Sequence, residues 1–165
     1  MKQTISIILT TILISSCGFY SFTGASIPND ASTISVTYFK TATPHAPSSL
    51  SQTITEGLRD LFISETDLNL TSLEADLNFI GTITKFQVSP IAIQANETAG
   101  KNRLTIAVEV EYNNNLNNKA NFKNTFSRYH DFDSSKNLAD VEEDLIEQIT
   151  KEILEDIFNK AFVNW

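Results

Sequence analysis

Four stretches of the chain are predicted to be β-strands. The first and third alternate apolar and polar residues, the two-residue period typical of strands with one buried face, and the second and fourth are rich in β-branched or aromatic residues. In the first stretch, Ile34, Val36 and Tyr38 are expected to form the buried face. Gly81 and Pro90 interrupt the second stretch, and we expect a bulge or a bend at these two residues. An asparagine-rich segment predicts a hairpin-like connection between the last two strands. The four predicted strands are residues 32–40, 75–93, 103–112 and 121–132.

Two further stretches have the three- to four-residue period of amphipathic helices. One begins near Leu50, where Ser48 or Ser49 is expected to cap the helix. The other covers residues 138–162, with Asn137 as its expected N-cap and a broad apolar stripe along its length. The order is therefore β-α-β-β-β-α. This order predicts an α+β fold, a two-layer sandwich of two helices packed on one four-stranded mixed sheet.

Cys17 is the only cysteine in the sequence, and this excludes an internal disulfide. It follows an apolar run, residues 5–14, which has the length of a signal-peptide core and is too short to span a bilayer. An aliphatic residue and two small residues, Ile14, Ser15 and Ser16, precede Cys17 and resemble the lipobox of bacterial lipoproteins. The alternative interpretation is an N-terminal core strand in which Cys17 is a small buried hydrophobe.

The resemblance to a lipobox implies that lipid is attached to the Cys17 thiol and that the chain is cleaved before this residue. The predicted organisation is then a signal peptide over residues 1–16, a lipidated tether over residues 17–31, and a single domain over residues 32–165. We expect a membrane anchor of acyl chains on Cys17 and not a membrane-spanning segment.

Charge and residue types narrow the possible functions further. The formal net charge of −8 argues against nucleic acid as a partner, because phosphate binding requires a basic surface. The sequence contains no G-x-S-x-G, no phosphate-binding loop and no H-E-x-x-H. His130, Asp131 and Asp133 are the best metal-ligand candidates, but neighbouring strand residues point to opposite faces and cannot all converge. We therefore predict neither an enzyme nor a metal or other cofactor.

Several segments together resemble the lipopolysaccharide-assembly lipoprotein family LptE, in its Bacteroidetes-type branch. They are CGFYSFTGASIP, STISVTYF, ADLNFIGTITKF, RLTIAVEVEY, TFSRYHDFD and EDIFNKAFVNW. The resemblance implies a lipid-anchored protein on the periplasmic side of the outer membrane, with two helices on a four-stranded sheet. It also implies a partner, the large LptD-type β-barrel, which such a protein would plug and help to assemble while assisting lipopolysaccharide insertion. The alternative function is a periplasm-facing lipoprotein that binds another envelope partner or ligand.

Lipopolysaccharide carries anionic groups, and these call for lysine and arginine. The candidate ligand-binding residues are Lys101, Arg103, Lys119 and Lys123, because they stand at the two ends of one expected hairpin. If the hairpin brings them near its tip or along neighbouring strands, they form a local positive site on an acidic protein. The alternative is that they are scattered charges that keep the protein soluble.

Overall fold

The structure is a computed structural model that describes residues 27, 28, 30–91 and 100–163. The predicted signal peptide, Cys17 and most of the predicted tether lie outside these residues. At the end of that tether, Ile27 and Ala31 pack against the hydrophobic core. Within the described part of the chain, no helix is both long enough and apolar enough to cross a membrane.

The described residues form six strands and two α-helices. The strands are β1 (Thr33–Val36), β2 (Lys40–Thr41), β3 (Asn69–Leu70), β4 (Leu77–Ile91), β5 (Lys101–Asn114) and β6 (Phe122–Asp133). The helices are α1 (Ser48–Glu65) and α2 (Leu138–Phe162), and a short 3-10 helix, Asn118–Ala120, lies in the β5–β6 connection.

All six strands belong to one mixed sheet with the order β3-β1-β4-β5-β6, and β2 also pairs with β4. The pairs that involve β1, β2 and β3 are parallel, whereas β4, β5 and β6 form an antiparallel meander. The predicted α+β class with two helices and a mixed sheet is confirmed. The sheet has more than the four predicted strands, because β2 and β3 are only two residues long and too short to show a period.

The first predicted strand ends at Val36. Beyond it, a residue expected to be buried is exposed and one expected to be exposed is buried. Tyr38, expected in the core, is 52% exposed, and Phe39 is fully buried in its place. The backbone N–H of Phe39 donates a hydrogen bond of 3.0 Å to Thr55 Oγ1 on α1. The chain therefore leaves the strand geometry between β1 and β2 to insert the Phe39 ring below the helix.

Gly81 provides the space for this ring. A Cβ atom built on Gly81 would overlap the Phe39 ring, so the glycine is explained by close packing and not by a bulge. The irregularity in the β4–β5 ladder lies between Ile83 and Lys85, and Pro90 pairs in register with Asn102. The bulge or bend predicted at Gly81 and Pro90 is therefore wrong in position.

Helix α1 begins differently from the prediction, whereas α2 begins where it was predicted to begin. Pro47 takes the N-cap position of α1, so Ser48 and Ser49 lie inside the helix and do not cap it. Helix α2 has its predicted bounds, and Asn137 occupies the N-cap position without a side-chain bond to the helix N–H groups. Its amide lies instead 3.5 Å from Asp140 Oδ2.

Both helices pack on the same face of the sheet and enclose a single core. Ile149 and Ile153, which belong to the predicted apolar stripe of α2, are fully buried, and this confirms that the stripe faces the core. Aromatic rings join the layers: Phe62 of α1 lies 4.8 Å from Phe79 of β4 and 5.7 Å from Phe162 of α2, centroid to centroid.

Asp76 fixes the start of β1 beside the start of β4. Its Oδ2 accepts hydrogen bonds from the backbone N–H groups of Ser32 and Thr33, at 3.0 and 2.9 Å, and from both hydroxyls. The bond from the Ser32 N–H, followed by those from Thr33, lowers the pKa of Asp76 from 3.8 to about 2.

Candidate binding surface

The face of the sheet that points away from the helices carries a regular array of mostly polar side chains. We call it the outer face. Since alternate residues of a strand point to opposite sides, burial of Leu104, Ile106 and Val108 against the helices directs their neighbours outward. The outer face of β5 and β6 comprises Arg103, Thr105, Ala107, Glu109, Glu111, Lys123, Thr125, Ser127, Tyr129 and Asp131. None of the described helices covers this face.

An ion pair and an aromatic ring occupy one end of the outer face. The Arg103 guanidinium donates two hydrogen bonds to Asp131, of 2.7 and 3.0 Å, across the β5–β6 pair. It also lies 3.6 Å from the ring centroid of Tyr129, a cation–π geometry. The bond from Arg103 is the main cause that lowers the pKa of Asp131 and raises the pKa of Arg103.

A second ion pair lies toward the other end of this face. Lys123 Nζ is 2.9 Å from Glu109 Oε1, and this bond raises the pKa of Lys123. Each of the two pairs balances its charge locally, and hydroxyl side chains lie between them. The outer face is therefore polar and nearly neutral on an acidic protein, and such a surface can form many hydrogen bonds.

The structure does not bring the four predicted basic residues together. Lys101 and Arg103 lie opposite Asp133 and Asp131 at the open end of the β5–β6 hairpin. Lys123 lies opposite Glu111, so about 27 Å of strand separates it from Arg103 at the usual rise of about 3.4 Å per residue. Lys119 is in the 3-10 helix at the hairpin tip. The expected single positive site is wrong, while a role for each pair in lipopolysaccharide binding stays a prediction.

The side chains of the three residues considered as metal ligands point in different directions. His130 faces α2, where its Nε2 lies 2.9 Å from Glu152 Oε1, and Asp131 is bound to Arg103 on the outer face. Asp133 accepts a 2.8 Å bond from the Ser135 N–H in the turn that follows β6. Across the described residues, no three His, Cys, Asp or Glu side chains are grouped as metal ligands would be.

Sequence reasoning missed the contacts between β6 and α2. Arg128 donates bonds of 2.6 and 2.7 Å to Asp156, next to the contact of His130 with Glu152. The sequence indicates no partner for His130, because Glu152 is 22 residues away on another element. The amphipathic stripe of α2 predicts that the helix packs on the sheet but not which strand it crosses.

The fold and this surface define a small two-layer α+β domain in which the described helices cover only one side of the sheet. The chain matches the model of the LptE lipopolysaccharide-assembly family over residues 31–161 and belongs to that family. LptE proteins are lipoproteins of envelope assembly that act without catalysis, and membership agrees with the prediction that this chain is not an enzyme. A search of curated proteins finds no match.

Solved structures with a similar fold are distant in sequence. A hypothetical protein from Chlamydia trachomatis superposes with a TM-score of 0.54 at 9% identity, covering 81% of this chain and 99% of that one. A minor lipoprotein from Acinetobacter baumannii gives a TM-score of 0.46 at 12% identity, with 80% and 96% covered. Lipoprotein B from Nitrosomonas europaea gives 0.48 at 14% identity, with 81% and 82% covered. The first of these similarities supports the fold.

Proposed function

We propose that this protein is the outer-membrane lipoprotein subunit of a lipopolysaccharide translocon. It is anchored through acyl chains on Cys17 and faces the periplasm. It plugs an LptD-type β-barrel, helps that barrel to assemble, and assists insertion of lipopolysaccharide into the outer leaflet. The observation that carries this proposal is the family match, because it extends from Ala31 to Ala161 and so includes every strand and nearly all of α2.

The outer face suits contact with the wall of such a barrel. The interiors of large membrane barrels are polar, and a surface of hydroxyls and internally balanced ion pairs can exchange hydrogen bonds with them. Charged pairs that are already satisfied, such as Arg103 with Asp131, do not have to be desolvated without a partner. We assign the outer face to the barrel contact on these grounds.

Site-specific photocrosslinking tests this assignment. A photoreactive residue at Ser127, exposed on the outer face, should give an adduct with the barrel in outer membranes. The matched position is Gln52, exposed on α1. An adduct from Gln52 and none from Ser127 would move the contact to the helical side. If neither position captures a barrel and another envelope protein is recovered instead, the alternative lipoprotein function is favoured.

The basic residues would contact lipopolysaccharide as two separate pairs. One pair is Lys101 with Arg103, and the other is Lys119 with Lys123. Replacing either pair by glutamine should weaken lipopolysaccharide binding, more at low than at moderate salt, because exposed charges are screened. The barrel complex should form with a lower yield, because replacing Arg103 or Lys123 leaves Asp131 or Glu109 unpaired on the outer face. Unchanged affinity of both double variants at both salt concentrations would contradict this role and leave the plug proposal standing.

The anchor has its own test. Cys17→Ala should leave a chain that folds but is no longer held in the membrane by lipid, since Cys17 precedes the whole folded domain. Membrane fractionation with an acyl label measures this. A variant that lacks the label and still resists extraction from the outer membrane would show that protein contacts alone retain it.

A further inference from the structure

The strands at the two edges of the sheet differ greatly in length. On one side lies β3, which has only two residues, and on the other lies β6, which has twelve. Strand β6 pairs with β5 without a register shift from Phe122 to Asp133, and it contains no proline or glycine. Natural proteins usually protect an exposed sheet edge by short strands, prolines or bulges. Strand β6 is long and regular, and its protection is limited to charged side chains, of which Lys123 and Arg128 are held in ion pairs with Glu109 and Asp156.

The edge of β6 that faces away from β5 has backbone groups without a partner among the described residues. Within the described residues, no hydrogen bond from another element reaches the outer edge of this strand between Phe122 and Phe132. Alternate residues there direct an N–H and a C=O away from β5. An extended segment can use this row of groups, as in peptide recognition by strand addition.

A groove lies beside this edge on the helical side of the sheet. It has a volume of about 350 Å³ and is lined by His130 of β6 and by Gln148, Lys151, Glu152 and Glu155 of α2. A strand added to β6 would direct every second side chain to this side of the sheet. One of those side chains would enter the groove, while the backbone bonds would hold the segment in register.

The charges of α2 indicate which segment fits. The helix carries eight carboxylates and two lysines, and Lys151, Glu152 and Glu155 line the groove. Glu152 is already 2.9 Å from His130 Nε2, so Glu155 provides most of the attraction for a further cation. A lysine or arginine side chain would be attracted there. A second copy of this chain, paired edge to edge, would instead place its own acidic α2 beside this one and repel it.

We propose that β6 is a docking edge for an extended segment of a partner protein, which adds to the sheet and places a lysine or arginine in the groove beside Glu152 and Glu155. The backbone of β6 provides affinity and the groove provides selectivity. This inference does not depend on the role in lipopolysaccharide assembly.

Three peptides of about ten residues test the proposal. The first alternates threonine and valine with a central arginine, the second has a glutamate at that position, and the third is the arginine peptide N-methylated along its backbone. Amide NMR of the full chain in detergent micelles follows each titration. We expect shifts and slowed amide exchange in β6 with the first peptide, about tenfold weaker binding of the second, and no binding of the third. Equal binding of the N-methylated peptide, or shifts elsewhere than β6, would overturn the proposal.

A charge reversal tests the groove. Glu155→Lys should weaken binding of the arginine peptide and strengthen that of the glutamate peptide, whereas Glu143→Lys, exposed on the same helix, should change neither. Thermal unfolding confirms that both variants fold. No change of preference in Glu155→Lys would contradict the groove assignment. Concentration-dependent dimerisation through β6 would assign the edge to a second copy and overturn the proposal, with the barrel function unaffected.

Discussion

Gly81 has no side chain, and this leaves space for an aromatic ring of a neighbouring segment to pack against the sheet. The ring of Phe39 occupies the position that a Cβ atom would take, and this contact lets the segment between β1 and β2 turn inward. We expect Gly81→Ala to lower the free energy of unfolding by about 1–3 kcal/mol, the usual cost of overpacking a core. Chemical denaturation measures the change.

Gly57→Ala is the matched control. A Cβ there would meet only the end of the flexible Leu154 side chain, at 2.7 Å, and alanine favours the helix over glycine by roughly 0.5–1 kcal/mol. The two effects oppose each other, so we expect a smaller change than at Gly81. An equal or larger loss of stability in Gly57→Ala would show that the packing at Gly81 is not special.

Asp76 links the stability of the fold to pH. Its pKa is about 2 in the folded protein, below the ordinary value of 3.8. Its contribution is therefore fully present above about pH 4 and is lost as the pH falls toward 2. Asp76→Asn should reduce stability at neutral pH and flatten the loss between pH 4 and 2, as measured by denaturant midpoints. Asp60→Asn, on the exposed side of α1, serves as control, and an unchanged acid profile in Asp76→Asn would contradict the assignment.

Among the elements, α2 contributes much of the core. Ile149→Asp should cost about 3–5 kcal/mol because it buries an unpaired charge, and whole domains are stable by only about 5–15 kcal/mol. Ile63→Asp makes the same change on α1 at a side chain that is 58% exposed, and we expect it to remain folded. Cooperative unfolding of Ile149→Asp at the wild-type temperature would contradict the packing of α2.

Long elements were predictable from the sequence and short ones were not. Helix α2 extends over several turns, so its period identifies both its bounds and its buried face. Strands β2 and β3 have two residues each and owe their existence to pairing with β4 and β1. Phe39 is buried in place of Tyr38 because Gly81, which is distant in sequence, leaves space for the Phe39 ring. The local alternation therefore indicated the wrong residue as part of the core.

At the scale of the whole molecule, the candidate surface was partly accessible to sequence reasoning. Arg103 and Asp131 lie equally far from Asn117, so a hairpin centred there predicts that they face each other. The same register places Lys119 and Lys123 far from Lys101 and Arg103, and a single cluster was therefore never compatible with a regular hairpin. The contacts of His130 and Arg128 with α2 depend on where the helix lies over the sheet, and no local pattern encodes that position.

We propose that this chain acts in lipopolysaccharide assembly as the lipoprotein partner of a barrel. The most direct measurement is purification of the full chain from outer membranes in mild detergent, with its partners identified by mass. We expect an LptD-type barrel in near-equal amount. Recovery of the intact, lipid-anchored protein from outer membranes with no such barrel would contradict it.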